Sequence, residues 1–291
     1  MISPFTLHRP TTLDQALALL ADHGEEARIL AGGSELVLLL KMSFLRPGHL
    51  VDIKGIGGLD QIELGPETEM LRIGGLVTHR MLENSGLVRE HFPVLATMER
   101  QLANVRVRNV GTIGGNLCFA EPHADPGTLL MAYQAKVKTR SVREERSMEI
   151  GDFFVDYYKT ALQQDEILTA IEIPRLKENF KGTYLRFCPG ERPTVNLALF
   201  LAWESGLCSD ARLALGCVDA KPIRGKEIEE DLRGKAADEI TAKALEVGAK
   251  AAQLCDPLPD IWGSVEYKRQ IVKTLVSRGL EQLCEEGAAH E

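Results

Sequence analysis

The sequence lacks the usual signatures of nucleotide, metal and redox sites. It contains neither G-x-G-x-x-G nor G-x-x-x-x-G-K-S/T, which disfavours a Rossmann dinucleotide site and a P-loop. Its six cysteines form no C-x-x-C motif and match no zinc or iron–sulfur spacing, and its seven histidines include no H-E-x-x-H. We therefore expect reduced, mostly buried thiols and no metal bound by this chain.

Excess positive charge and long apolar runs are also missing. The net charge of −8 disfavours nucleic acid or an anionic membrane as a partner, because both favour a basic surface. No apolar run approaches the ~20 residues that span a bilayer, and no secretory signal is visible. With 291 residues, of which 44% are hydrophobic and 26% charged, we expect a globular cytoplasmic protein of two domains.

Two short glycine turns are the most informative features that are present. The first reads Ala31-Gly32-Gly33-Ser34, and the second reads Gly111-Thr112-Ile113-Gly114-Gly115-Asn116. Glycine lets the backbone approach a ligand closely, and successive free amides in such turns bind anions. Two such turns on one domain could hold the two phosphates of a dinucleotide, although a lone Gly-Gly pair is more typical of an ordinary tight turn.

Hydrophobic periodicity divides the chain into α+β regions. It predicts helices over 13–23, 35–41, 81–87, 93–102, 236–254 and 265–284, the first capped by Thr11 or Thr12 and ended by Gly24. It predicts strands over 27–30, 50–53, 61–64, 71–73, 136–140, 167–173, 183–187, 195–202 and 211–218. The middle strands indicate an antiparallel sheet, and 175–181 is interpreted as a linker. The apolar stretch 36–40 suits either the core or a subunit interface, with the core preferred, and 285–291 are expected to fray.

Several stretches together resemble one family. They are Ala-Gly-Gly-Ser-Glu-Leu at 31–36, Gly-Thr-Ile-Gly-Gly-Asn-Leu at 111–117, and the segments 166–174, 211–216 and 221–224. Across essentially its whole length the chain resembles the FAD-binding medium subunit of molybdenum hydroxylases such as carbon monoxide dehydrogenase, xanthine dehydrogenase and 4-hydroxybenzoyl-CoA reductase. The resemblance implies an α+β fold with a vanillyl-alcohol-oxidase (PCMH)-type FAD-binding domain over 1–176, in lobes of about 1–56 and 57–176. A C-terminal domain of an antiparallel sheet with helices would follow over 177–291.

The resemblance also implies which residues bind FAD. They are Ile29, Leu30, Ala31, Gly32, Gly33, Ser34, Glu35, Leu36, Leu102, Gly111, Thr112, Ile113, Gly114, Gly115, Asn116, Asp125, Leu168 and Arg186. Both turns would hold the pyrophosphate. Asp125 would accept hydrogen bonds from cofactor hydroxyls, although the sequence alone favours a helix cap before Pro126.

Six further positions carry weaker expectations. Leu168 would touch the flavin, and Arg186 would lie near its ring, unless Arg186 is a strand residue with a solvated head. Leu102 stands where some relatives place an aromatic ring. His79 is interpreted as a surface histidine at a helix start. Arg106 and Arg108, before the second turn, would steer the anionic cofactor or face a partner.

The resemblance implies half of a reaction. Substrate hydroxylation would occur at molybdopterin on a large subunit, and electrons would pass through two [2Fe–2S] clusters on a small subunit to the FAD held here. The complex would be a dimer of heterotrimers, and no side chain of this chain would act as a catalytic acid or base. The organic substrate and the electron acceptor stay open.

Two other functions also stay open. One is a self-contained FAD-dependent reductase of the same fold, resembling UDP-N-acetylenolpyruvoylglucosamine reductase. The other is a non-enzymatic interaction module that has lost the cofactor. Intact glycine turns argue against the second alternative, and the lack of a convincing Ser/Glu proton-donor pair argues against the first.

Overall fold

The N-terminal lobe is a small parallel sheet covered by one helix. The computed structural model describes residues 2–65 and 69–288. Strands β1 (Thr6–His8), β2 (Ala27–Leu30) and β3 (His49–Asp52) are parallel and lie in the order β1-β3-β2. Helix α1 (Leu13–His23) begins as predicted, because the Thr12 hydroxyl accepts a hydrogen bond from the Gln15 amide, and it ends at Gly24. The sequence did not predict the short edge strand β1.

The helix that follows the first glycine turn lies at the surface. Helix α2 (Ser34–Lys41) buries only Leu40, whereas Val37 and Leu38 are 37% and 48% exposed. The preferred core position is therefore wrong for Val37 and Leu38 and right for Leu40, and the interface alternative stays a prediction. A continuous apolar run covers the whole circumference of a helix, so part of it faces outward wherever one face alone has a neighbour.

An antiparallel sheet follows, as predicted, but it has five strands because 145–149, which was not predicted, forms one of them. Its strands are β4 (Ile62–Leu64), β5 (Met70–Gly74), β6 (Lys136–Arg140), β7 (Glu145–Glu149) and β10 (Ile167–Pro174), in the order β4-β5-β10-β6-β7. The central strand β10 pairs antiparallel with both β5 and β6. A two-stranded ribbon, β8 (Phe154–Asp156) and β9 (Lys159–Thr160), lies beside it.

Seven short helices connect this part of the chain. They are α3 (His79–Asn84), α4 (Gly86–His91), α5 (Pro93–Gln101), α6 (Val105–Val110), α7 (Ile113–Phe119), α8 (Pro126–Tyr133) and α9 (Ile150–Phe153). The single helix predicted over 81–87 is wrong. Ser85 has an extended backbone, ends α3, and caps α4 by accepting a hydrogen bond from the Val88 amide.

The C-terminal part is a four-stranded antiparallel sheet with helices. Strands β11 (Phe180–Phe187), β12 (Val195–Glu204), β13 (Leu207–Gly216) and β14 (Ile223–Arg224) pair in chain order. Helices α10 (Lys226–Leu232), α11 (Ala237–Ala242), α12 (Ala244–Gln253) and α13 (Val265–Ala288) follow. Three predicted bounds are wrong: β11 begins inside the predicted linker, Lys243 divides the predicted helix 236–254, and α13 continues through 285–288. The rest of the predicted frayed end, 289–291, lies outside the described residues.

The C-terminal sheet is covered on both faces. Every residue of β12 from Val195 to Ala202 is buried. Leu197 and Leu199 belong to the cluster that includes α13, whereas Ala198 and Phe200 belong to the cluster that includes α8. The fully buried helix α8 thus lies between this sheet and the middle one.

Two expectations from composition can be compared with the structure. All six cysteines are unpaired, and four of them are buried, as predicted for small hydrophobic residues. Across residues 2–65 and 69–288, no helix combines the length and apolar character needed to cross a bilayer.

Candidate functional site

The two glycine turns lie against each other. A Cβ atom on Gly32 would stand 2.1 Å from the carbonyl oxygen of Val110, directly before the second turn. A Cβ atom on Gly111 would stand 3.4 Å from the Ser34 hydroxyl oxygen. Because real Cβ atoms do not approach a carbonyl oxygen so closely, the contact requires glycine at position 32. The structure therefore brings together the two motifs that the sequence analysis singled out.

The first turn presents backbone amides at a helix start. Gly33 has a left-handed backbone with φ 77°, and no side chain caps α2. The first amides of a helix have no acceptor within the helix, and its dipole favours negative charge at that end. The turn is therefore suited to an anionic group such as a phosphate.

The second turn uses its amides within the protein. The Ile113 and Gly114 amides donate to the Val77 and Gly75 carbonyls at 2.9 and 3.2 Å, and the Gly115 amide donates to the Thr112 hydroxyl at 3.0 Å. The expectation of free amides thus holds for the first turn and not for this one. The second turn instead provides a close-packed wall, with the Asn116 side chain half-buried beside it.

A third glycine pair, Gly74-Gly75, supports that wall and was missed in the sequence. A Cβ atom on Gly75 would lie 2.4 Å from the Leu168 carbonyl oxygen, and one on Gly114 would lie 2.4 Å from the Gly75 carbonyl oxygen. Leu168 itself is buried on β10. The missed signal was a Gly-Gly pair directly after the predicted strand 71–73, comparable to the first turn, which follows the predicted strand 27–30.

Asp125 belongs to a buried polar cluster. Its carboxylate is 4% exposed and accepts hydrogen bonds from the Tyr184 hydroxyl at 2.7 Å and the Arg186 guanidinium at 3.1 Å. It stands at the start of α8 but makes no capping hydrogen bond, so the helix-cap alternative is wrong. Burial raises the pKa of the Asp125 carboxyl, while Arg186 and Tyr184 act in the opposite direction.

Arg186 holds this cluster against the end of α5. Its guanidinium donates to the Gln101 carbonyl at 2.7 Å and to the Cys188 sulfur at 2.9 Å, and its side chain is only 11% exposed. The solvated-head alternative is therefore wrong. Leu102, which follows Gln101, is also buried. The structure thus brings Asp125, Arg186 and Leu102 into one neighbourhood.

His79 lies beneath the second turn, not at the surface. The ring is 2% exposed, and its Nδ1 atom lies 2.9 Å from Oε2 of the fully buried Glu99. The other oxygen of Glu99 is buried and has no hydrogen-bond partner among the described residues. The expected surface position is wrong because a bridge between Thr78 and Thr112 draws this residue under the turn. Glu99 was missed because it lies on α5, 20 residues after His79 along the chain and beyond helix α4.

Charged side chains connect the margins of the site. Arg192 pairs with Glu35 of α2 at 3.0 Å and also with Glu121, which follows α7. Arg108 is held by Glu83 at 3.0 Å and by the Leu102 carbonyl at 2.8 Å, so it braces α6, whereas Arg106 is exposed. The sequence did not reveal Arg192, which lies far from both turns along the chain.

Fold and site together define an α+β protein with two packed glycine turns at an uncapped helix start. Residues 3–176 match the family described as FAD binding domain in molybdopterin dehydrogenase, and residues 189–283 match the CO dehydrogenase flavoprotein C-terminal domain. The chain therefore belongs to this family of FAD-binding medium subunits, as the resemblance predicted.

Individual relatives extend over nearly the whole chain. The nicotine 6-hydroxylase medium subunit of Paenarthrobacter nicotinovorans is 32% identical over 270 residues, which are 92% of this chain and 93% of that one. The carbon monoxide dehydrogenase medium chain of Hydrogenophaga pseudoflava is 31% identical, over 96% and 97% of the two chains. A solved chain of quinoline 2-oxidoreductase from Pseudomonas putida 86 has a TM-score of 0.92 at 27% identity and covers 99% of each chain.

The residues present fit FAD. Glycine at positions 32 and 111 lets the two turns pack against each other, and the amides at the start of α2 are natural donors to a diphosphate. The buried guanidinium of Arg186, held by Asp125 and the Gln101 carbonyl, supplies a fixed positive charge. No residue here need transfer a proton for such a cofactor to be bound and oriented.

Proposed function

We propose that this chain is the flavoprotein subunit of a molybdenum-containing hydroxylase or dehydrogenase. It receives electrons from [2Fe–2S] clusters of a small subunit and passes them to an external acceptor, while a large molybdopterin subunit oxidises the substrate. The observation that carries the proposal is the uncapped N-terminus of α2 packed against the second glycine turn.

The residues at the two turns would divide the work of holding FAD. The amides of 33–36 would bind the pyrophosphate, and the 111–116 segment would form the opposite wall with Asn116 at its surface. Ile29, Leu30 and Ala31, at the end of β2, would set the direction of the first turn. When bound, FAD supplies the one- and two-electron chemistry, and the protein supplies its orientation and surroundings.

Asp125 and Arg186 would fix the charge near the flavin ring. Asp125 orients Arg186 through an ion pair at 3.1 Å, and Gln101 anchors the same guanidinium. A buried, pre-oriented cation stabilises any neighbouring group that gains negative charge on reduction. Leu102 and Leu168, both buried nearby, would exclude water from that region.

An exposed apolar surface supports the proposal that partner subunits bind this chain. Six side chains on α2, the turn after it and α6 are 37–69% exposed, namely Val37, Leu38, Met42, Phe44, Val105 and Val110. They flank the junction of the two turns, where Gly32 contacts Val110. Contiguous exposed apolar surface marks sites of protein association. The proposed assembly is a dimer of heterotrimers in the cytoplasm.

A single substitution tests the cofactor site. Gly32→Ala places a Cβ atom 2.1 Å from the Val110 carbonyl, so the turns separate and bound FAD falls at least about tenfold. The matched control is Gly57→Ala, where a Cβ meets nothing within 4 Å. FAD content is measured from the ratio of absorbance at the flavin band to protein absorbance, with circular dichroism to verify folding. Equal FAD in the folded Gly32→Ala variant, or none in the unmodified chain, contradicts the proposal.

Native purification tests the electron path. A complex that contains three subunits, molybdenum, iron and FAD, and whose flavin is reduced after the iron–sulfur clusters in rapid mixing with substrate, agrees with the proposal. Full substrate turnover by this chain alone contradicts it and favours a self-contained reductase.

A further inference from the structure

Three histidines from separate elements meet on the N-terminal lobe. They are His8 on β1, His23 at the end of α1 and His49 at the start of β3. The His8 Nε2 atom lies 2.9 Å from the His49 Nδ1 atom, and the ring centroids of His23 and His49 are 3.7 Å apart. One nitrogen from each ring can be chosen so that all three lie within 4.8 Å of one another.

The sheet register explains why these rings converge. Thr6 lies opposite His49 in the parallel pairing of β1 with β3, so His8, two residues later, points to the same face. Val51, also two residues on from His49, belongs to the cluster that contains the buried face of α1. The last residue of α1, His23, therefore lies over the sheet face from which His8 and His49 project.

The three imidazole rings contact one another and have no carboxylate partner among the described residues. Within residues 2–65 and 69–288, no carboxylate forms an ion pair with any of these three rings, whereas His79, His91 and His123 each have one. All three rings are half-buried. Neutral imidazole nitrogens gathered in this way are the preferred ligands of zinc, nickel and copper ions.

We propose that His8, His23 and His49 bind one divalent transition-metal ion of the zinc type, with water in the fourth position. Metal–nitrogen bonds are about 2.0–2.1 Å long and lie in the ring planes, so the stacked rings of His23 and His49, inclined at only 9°, must rotate to share an ion. The site is separate from the proposed FAD site and would connect β1, α1 and β3. It departs from the expectation, drawn from sequence spacing, that the chain binds no metal.

Zinc and cobalt titrations of the untagged full-length chain test the proposal, since a polyhistidine tag binds the same ions. The expected result is one Zn²⁺ per chain by calorimetry and a visible Co²⁺ spectrum of a nitrogen-ligated ion. His8→Gln, His23→Gln and His49→Gln each weaken Zn²⁺ binding by roughly tenfold or more, because each removes one ligand. The matched control His91→Gln, on α4, leaves affinity unchanged.

A second measurement separates ligand loss from misfolding. Zn²⁺ raises the melting temperature of the unmodified chain, because a ligand that binds only the folded state stabilises it, and this shift disappears in His49→Gln. Circular dichroism and FAD content of the variants stay at the level of the unmodified chain. The proposal is overturned by the absence of Zn²⁺ binding to the unmodified chain, by equal binding in the three variants, or by an equal loss in His91→Gln.

Discussion

At the scale of single residues, the buried pair of Asp125 and Arg186 is the main electrostatic feature beside the proposed flavin. The Asp125 carboxylate raises the pKa of Arg186, although burial acts against it, so the guanidinium stays charged. Each group supplies the opposite charge and the hydrogen bond that water would supply to an exposed group. Removing either one leaves an uncompensated buried charge, which costs far more than loss of an exposed pair.

Arg186→Gln is therefore expected to lower the free energy of unfolding by about 3 kcal/mol. The matched control is Arg80→Gln. Arg80 is 42% exposed and pairs with Glu83, and losing this exposed ion pair costs about 0–1 kcal/mol. Urea denaturation followed by circular dichroism measures both values. Equal, small losses in the two variants would show that the Asp125 pair contributes no more than a surface one.

The contacts of several residues near the site could not be predicted from the sequence. Glu99 and His79 form a buried pair across two helices, and Gly75 lies between Gly114 and Leu168 although all three come from different segments. Local spacing predicts turns and caps because their chemistry is local. Contacts between distant segments depend on tertiary packing, which periodicity does not encode.

At the scale of elements, Glu166 lies directly before β10 and links the start of that strand to β6 and β7. It accepts hydrogen bonds from Arg146 of β7 at 2.6 and 2.5 Å, from Thr139 of β6 at 3.2 Å and from the Gln163 amide at 2.8 Å. Burial alone would raise the pKa of Glu166, but Arg146 and these hydrogen bonds hold it below the usual value of 4.5. The carboxylate stabilises the sheet while it is ionised.

The sign of this shift sets a pH dependence. Because the folded state lowers the pKa of Glu166, its stabilisation is fully present above pH 4.5 and is lost as the pH falls through the lower, folded-state value. The free energy of unfolding should therefore decrease less steeply with acid in Glu166→Gln than in the unmodified chain. Urea denaturation at a series of pH values below neutrality measures the slopes, with the exposed Glu145→Gln as control. Identical slopes would contradict the assignment.

Helix bounds show what periodicity resolves and what it hides. The first helix was predicted accurately because Thr12 and Gly24 have clear capping chemistry. The division at Lys243 was missed because the apolar stripe Ile240, Ala244, Val247 and Ala251 continues through it, and all four are buried. An apolar stripe identifies the buried face of a helical segment, and it can continue across a break in the backbone helix.

At the scale of the whole molecule, α8 and the C-terminal sheet are joined where they approach Asp125. Thr128 of α8 donates to the Asn196 side chain at 2.7 Å, and that side chain donates to the Ala124 carbonyl at 3.0 Å. Gly216, opposite Asn196 on β13, leaves room for both. The predicted division at 176–177 stays a prediction, but contacts from both sides of it build the proposed site.

Gly216→Ala is expected to disturb this junction. Its Cβ atom would lie 1.9 Å from the Thr128 hydroxyl oxygen and 2.3 Å from the side-chain Oδ1 of Asn196, an overlap that costs about 1–3 kcal/mol. Gly86→Ala is the matched control, since a Cβ there meets nothing within 4 Å. Thermal unfolding measures both variants. A melting temperature of Gly216→Ala equal to that of the control would show that the junction yields without cost.

Arg192 forms two ion pairs at the margin of the proposed site. One arginine of the C-terminal part clasps carboxylates on both sides of the proposed site, Glu35 and Glu121. Arg192 and Glu35 are 38% and 34% exposed, so their ion pair contributes little to stability, whereas Glu121 is only 11% exposed and its pair with Arg192 is the better protected one. The contact between Arg192 and Glu35 can therefore open and close without disturbing the core of either layer.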